Sequence, residues 1–96
     1  VRLRELSSDI PQYRCAGGYF SEYSTNDFND LASIVTTKYQ TLAYFGFSKD
    51  ELQRFVLNNH IKGIDRIVPI GKTTDFSLIW DGYDLITMLS REISIL

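Results

Sequence analysis

The chain has 96 residues, of which 44% are hydrophobic and 23% charged, and its net charge is −2. That length admits one domain at most, with a thin core, because so small a chain buries only about 60–70% of its unfolded surface. The ten basic and twelve acidic residues are interspersed, which argues against a nucleic-acid partner, and no apolar run reaches the roughly 20 residues of a membrane span.

Residues 1–12 carry the breakers Ser7, Ser8, Asp9 and Pro11 and read as an irregular lead-in. Gly17 and Gly18 then open Tyr19-Phe20-Ser21-Glu22-Tyr23, an aromatic, partly alternating run that predicts a strand. Ser24 or Thr25 is placed to cap a helix over about 26–38, with Phe28, Leu31, Ala32 and Val35 as its apolar stripe. Thr41-Leu42-Ala43-Tyr44-Phe45 predicts a second strand, closed by Gly46.

Ser48-Lys49-Asp50-Glu51 has the spacing of a capping box, and Leu52, Phe55 and Val56 form the inner face of a helix running to about Asn58. Arg66-Ile67-Val68-Pro69-Ile70 predicts a third strand covered on both faces, with pairing lapsing on one side at Pro69. Residues 71–80 read as a loop. Asp81 is placed to cap a last helix, with Asp84 in the capping-box position and Leu85, Ile86 and Leu89 facing inward. Glu92 to Leu96 alternate as a final short strand.

The fold class that follows is α/β: a mostly parallel βαβαβ sheet piece, then loop, helix and short strand. Its sheet has exposed edges, which points to missing strands. The start at Val1 agrees with a fragment, a processed product or a trimmed form. A single cysteine, Cys15, permits no intrachain disulfide and favours a reducing compartment, the cytoplasm.

Candidate chemistry is sparse. Gly71-Lys72-Thr73 has the end of a phosphate-binding loop, but Arg66 stands where that motif needs glycine. Gly17-Gly18 belongs to no G-x-G-x-x-G pattern and reads as a bend. Cys15 and His60 lack an orienting third group, and Cys15 reads as a packing residue. With one Cys and one His there is no structural zinc site, and the metal expectation is none. Tyr39, Tyr44, Phe45, Phe47 and Phe55 read as core. Asp81 and Asp84 read as caps and not as an acid–base pair. Phe76, Ile79 and Trp80 lie in the loop after the third strand, where open α/β sheets bind ligands. They are candidates either for lining a pocket for an acyl chain or for docking on other parts of the protein.

The blocks Gly63-Ile64-Asp65-Arg66-Ile67-Val68-Pro69-Ile70-Gly71 and Trp80-Asp81-Gly82-Tyr83 resemble the C-terminal signature of the fatty acyl-CoA reductases of bacterial bioluminescence, members of the aldehyde dehydrogenase superfamily. The wider superfamily resemblance spans roughly 13–96. After the lead-in at 1–12, it implies a partial α/β catalytic domain at 13–80 and a C-terminal helix and strand at 81–96 that serve as a subunit or oligomerisation contact.

The family implies NADPH-dependent reduction of a fatty acyl thioester to a long-chain aldehyde through a cysteine nucleophile. It also implies partnership with acyl-protein synthetase and acyl-transferase subunits in a fatty acid reductase complex, and with the rest of the reductase chain. The nucleophile lies upstream in that family, so no catalytic residue is carried over. The family's cofactor-contacting glutamate would fall near residues 12–17, where this chain has Gln12-Tyr13-Arg14-Cys15-Ala16-Gly17, so no cofactor-binding residue is assigned. Phe76, Ile79 and Trp80 then fall where the substrate tunnel is closed. The rival expectation is a stand-alone α/β interaction domain without catalysis.

Overall fold

A computed structural model describes residues 1–13 and 16–96. It is a small mixed α/β fold built around one β–α–β unit. Strand β1 (Thr41–Tyr44) leads into helix α1 (Lys49–Asn58), which returns the chain to strand β2 (Arg66–Pro69). The strands pair in parallel, from Thr41 opposite Arg66 to Tyr44 opposite Pro69. Pro69 is the last residue of β2, and its nitrogen faces the unpaired edge: the donors toward β1 include Arg66 N, to Gln40 O at 3.1 Å, and Ile70 N, to Tyr44 O at 3.0 Å, so the missing N–H costs the ladder nothing.

Helix α1 starts where its sequence dictates. Ser48 Oγ accepts from Glu51 N–H at 3.2 Å, and Glu51 Oε2 accepts from Ser48 N–H at 2.7 Å, the reciprocal capping box. The two hydrogen bonds from Ser48, backbone first, hold the Glu51 carboxyl below its ordinary pKa. At the other end Asn59 Nδ2 donates to Phe55 O at 2.9 Å and to Asn29 Oδ1 at 2.8 Å, tying α1 to the segment before β1.

That segment is not the predicted α-helix over 26–38. It is a 3₁₀-helix, Phe28–Ser33, capped by Asp27, whose Oδ1 accepts from Asn29 N–H at 2.9 Å. Thr25 sits one step back, its hydroxyl accepting from Asp27 N–H at 3.0 Å. Two features explain the difference. Ile34-Val35-Thr36-Thr37 is an unbroken β-branched run, poor at continuing an α-helix. Three residues per turn also puts Phe28, Leu31 and Ile34 on one face, and of the three Ile34 is buried, at 8% exposure.

The core is thin. Ile34, Leu52 and Phe55 are the buried hydrophobic side chains among the described residues. The Phe28 ring lies 4.3 Å from Phe55 and 4.7 Å from Phe47, centroid to centroid. The expected core role of the other aromatics is corrected in part: Tyr39 and Tyr44 are half-buried, while Phe45 is 82% exposed and Phe47 is exposed. Phe45 follows the last paired residue of β1, so no neighbouring strand or helix covers it.

The predicted first strand is also corrected. Residues 19–23 join the sheet nowhere. Glu22 forms a parallel bridge with Arg2, through Leu3 N to Glu22 O at 2.7 Å and Glu22 N to Val1 O at 2.8 Å. The lead-in has taken the backbone groups that a strand would have offered to β1.

A short hairpin replaces the end of the predicted loop: β3 (Ile79–Trp80) pairs antiparallel with β4 (Tyr83–Asp84). Helix α2 spans Leu85–Met88 and is capped by Asp84, whose Oδ1 accepts from Ile86 N–H at 3.0 Å. Asp81 therefore sits in a turn and is no helix cap. Of the expected inner face, Leu85 is half-buried, while Ile86 and Leu89 are exposed because no sheet lies beneath one helical turn. Residues 92–96 form no strand, having no strand to pair with.

The result is extended. The radius of gyration is 16.8 Å, against about 12.5 Å for a compact domain of this length. The accessible surface is 8397 Å², where a compact 11.1 kDa monomer exposes about 5,700 Å². Among the described residues no helix is long and apolar enough to cross a membrane.

Candidate functional site

The residues singled out in the sequence, Phe76, Ile79 and Trp80, gather beside β2. Residues 70–78 leave the strand through two successive turns, Lys72 N to Pro69 O at 3.0 Å and Asp75 N to Lys72 O at 3.2 Å. The hairpin then brings the chain back. Asp81 (φ 50°) and Gly82 (φ 80°) are its central residues, and positive φ at both is the pattern of a tight type I′ connection, for which Asp-Gly is a favoured pair.

This return path corrects the expected position of the cluster. The three residues were placed beyond the carboxyl end of β2, the usual ligand position in open α/β sheets. Instead Trp80 lies over Arg66, the first residue of that strand, with the Arg66 Cζ 4.4 Å from the ring centroid. The hairpin tip sits at Asp65, whose Oδ1 is 3.2 Å from where a Cβ on Gly82 would be. The Asp-Gly pair was the local signal for this reversal, and it is what a reading of residues 71–80 as plain loop passes over.

Arg66 is the hub. Its Nη1 donates to Thr73 O and its Nη2 to Asp75 O, both at 2.7 Å. Its Cζ lies over the Trp80 ring, so one guanidinium makes a cation–π contact and donates twice to backbone. The Phe76 ring stacks on Trp80 at 5.3 Å with an interplanar angle of 30°. Phe76 is 68% exposed and Ile79 is exposed, so the aromatic face is presented outward. An open hollow of about 470 Å³ beside it is lined by Arg66, Val68, Lys72, Asp75, Phe76 and Ile79. The Lys72–Asp75 ion pair, 3.1 Å, lies at the surface and adds little stability.

This arrangement can hold an apolar or flat group against Phe76 and Ile79. Around it Lys72 is engaged with Asp75, and the Ser77 hydroxyl donates to Ile79 O. Cys15 lies outside the described residues, so its relation to His60 is not part of this geometry. His60 is exposed just after α1, with φ 49°. Asp84 is engaged in capping α2, and Asp81 in the hairpin turn. Among the described residues no three His, Cys, Asp or Glu side chains gather as metal ligands. Gly71-Lys72-Thr73 forms part of the turn leaving β2.

No protein-family model matches the chain, and neither the curated proteins nor the solved structures contain a match to it.

Proposed function

We propose that the chain is the C-terminal part of an NADPH-dependent fatty acyl-CoA reductase that makes long-chain aldehyde for luminescence. In this reading the segment supplies scaffold and a wall of the acyl tunnel, while the nucleophile and the nucleotide site lie elsewhere in the enzyme. The observation that carries it is the surface left open. The chain exposes about half as much area again as a compact monomer of its mass. Phe20, Phe45, Leu89, Ile93 and Ile95 are all among the exposed side chains. Surface of that kind marks contact with other protein or with an apolar ligand. The residues of the resemblance, 63–71 and 80–83, form the strand, turn and hairpin that bear the Phe76–Trp80 face.

The test is aldehyde formation from tetradecanoyl-CoA and NADPH by the protein that carries these residues, purified from its source. Conversion is expected, with a chain-length profile that shifts in Trp80→Ala. No conversion of any acyl thioester overturns the proposal. The same open surface also favours the rival reading, a binding module without catalysis. An intact mass of 11.1 kDa in the source, with a monodisperse and cooperatively unfolding chain, would select that reading.

A further inference from the structure

We infer that Arg66 is a positioning residue: it sets the place and orientation of Trp80, and through Trp80 the shape of the aromatic face. Its bearing on chain length rests on the acyl-tunnel reading, but its geometry does not.

The backbone of Arg66 is itself fixed. Its N–H donates to Gln40 O at 3.1 Å, and the residue opens β2 opposite Thr41. Between residues 73 and 78, the described hydrogen bonds that reach back to β2 are the two from its guanidinium, to Thr73 O and Asp75 O. The other restraints on this stretch are local: the turn from Lys72 to Asp75, the Ser77 hydroxyl on Ile79 O, and Leu85 N to Leu78 O at 2.9 Å inside the hairpin. None of these sets the hairpin against the sheet.

Arg66 does so with two surfaces at once. Its N–H groups hold the loop, and its Cζ stands over the indole, 4.4 Å from the ring centroid. Lysine has the charge but neither the fork nor the plane. Phe76 completes the stack from the loop that Arg66 holds. The aromatic face is thus assembled by a residue that also borders the hollow beside Phe76 and Ile79.

Trp80 is the only tryptophan of the chain, so indole fluorescence reads this contact directly. In Arg66→Lys and Arg66→Met, acrylamide quenching of Trp80 is expected to rise, because the half-buried indole loses a side chain that stands over its ring. Far-ultraviolet circular dichroism and the urea midpoint serve as controls for folding. Unchanged quenching in folded variants overturns the inference. Should the variants not fold, the unmodified chain still decides. The Trp80 ring current is expected to shift the Arg66 guanidinium protons, since Cζ lies over the ring, and ordinary arginine shifts there overturn the inference equally.

Energy transfer from Trp80 to cis-parinaric acid separates this inference from the functional reading. Binding by the unmodified chain and its loss in Arg66→Lys supports both. Quenching that responds to Arg66→Lys supports the positioning role, and failure of the protein purified from its source, carrying these residues, to bind the fatty acid removes the acyl-tunnel reading.

Discussion

Gly63 lies against the backbone of Thr36: a Cβ on Gly63 would overlap the Thr36 carbonyl and stand 3.2 Å from Thr37 Cα. This contact joins the turn before β2 to the turn before β1. It is reinforced by Ile64 N–H donating to Tyr39 O at 2.6 Å. Ile64 there holds φ 56°, an uncommon conformation for a β-branched residue. The parallel register of β1 and β2 begins two residues further on, so the close approach helps to set it.

Gly63→Ala is therefore expected to destabilise by about 3 kcal/mol or more, from left-handed strain plus collision with backbone. Gly46→Ala isolates the strain. Gly46 has φ 81° with nothing within 4 Å of its would-be Cβ, so a cost of about 1–2 kcal/mol is expected there. Urea midpoints of the two variants check the difference, and equal shifts would mean that the Thr36 turn yields without cost.

Phe55 is the best buried side chain, at 2% exposure. Phe55→Ala should cost about 3–5 kcal/mol, a large share of what so thin a core supplies. Phe55→Leu keeps most of the volume and loses the Phe28 ring contact, worth about 0.5–1.5 kcal/mol. A chain that unfolds at the same urea concentration with alanine at 55 would show that this cluster is not the core.

Ser48→Ala removes the cap of α1 and should cost about 1 kcal/mol. The pH dependence follows from Glu51. Its folded-state pKa is lowered by the Ser48 backbone and hydroxyl donors. Its contribution is therefore fully present above the unfolded-state pKa and is lost as pH falls through the folded-state value. In Glu51→Gln that part of the acid-side loss should vanish, as urea midpoints measured at descending pH would reveal. Identical acid profiles for the two proteins would exclude a role for this carboxylate.

The hairpin turn supplies a further check on the aromatic face. Asp81→Asn keeps a residue that tolerates positive φ, whereas Asp81→Val does not. Trp80 emission should be unaltered by the first and shifted to longer wavelength by the second. Identical spectra would place the hold on Trp80 entirely with Arg66 and Phe76.

The legible parts of the chain were those decided within a few residues. The Ser48–Glu51 box and the inner face of Leu52 and Phe55 are each set within the helix itself. The misread parts involve competition between partners. Residues 19–23 have strand character, yet Glu22 pairs with Arg2 across the lead-in. Residues 28–35 have a helical stripe, yet the β-branched run after it and Asp27 as cap produce a 3₁₀-helix. In the candidate site, Phe76, Ile79 and Trp80 were visible as apolar residues in a polar stretch, but Arg66 was not visible as their partner.

The sequence by itself determined where α1 starts and, through the alternation of strand and helix, that β1 and β2 run parallel. Only the tertiary structure decided that residues 19–23 stay out of the sheet and that the chain after β2 turns back to put Trp80 on Arg66. Caps act through bonds within one turn of chain. Pairing and stacking depend on which distant groups reach each other first, and a hairpin of two residues per strand is enough to redirect them.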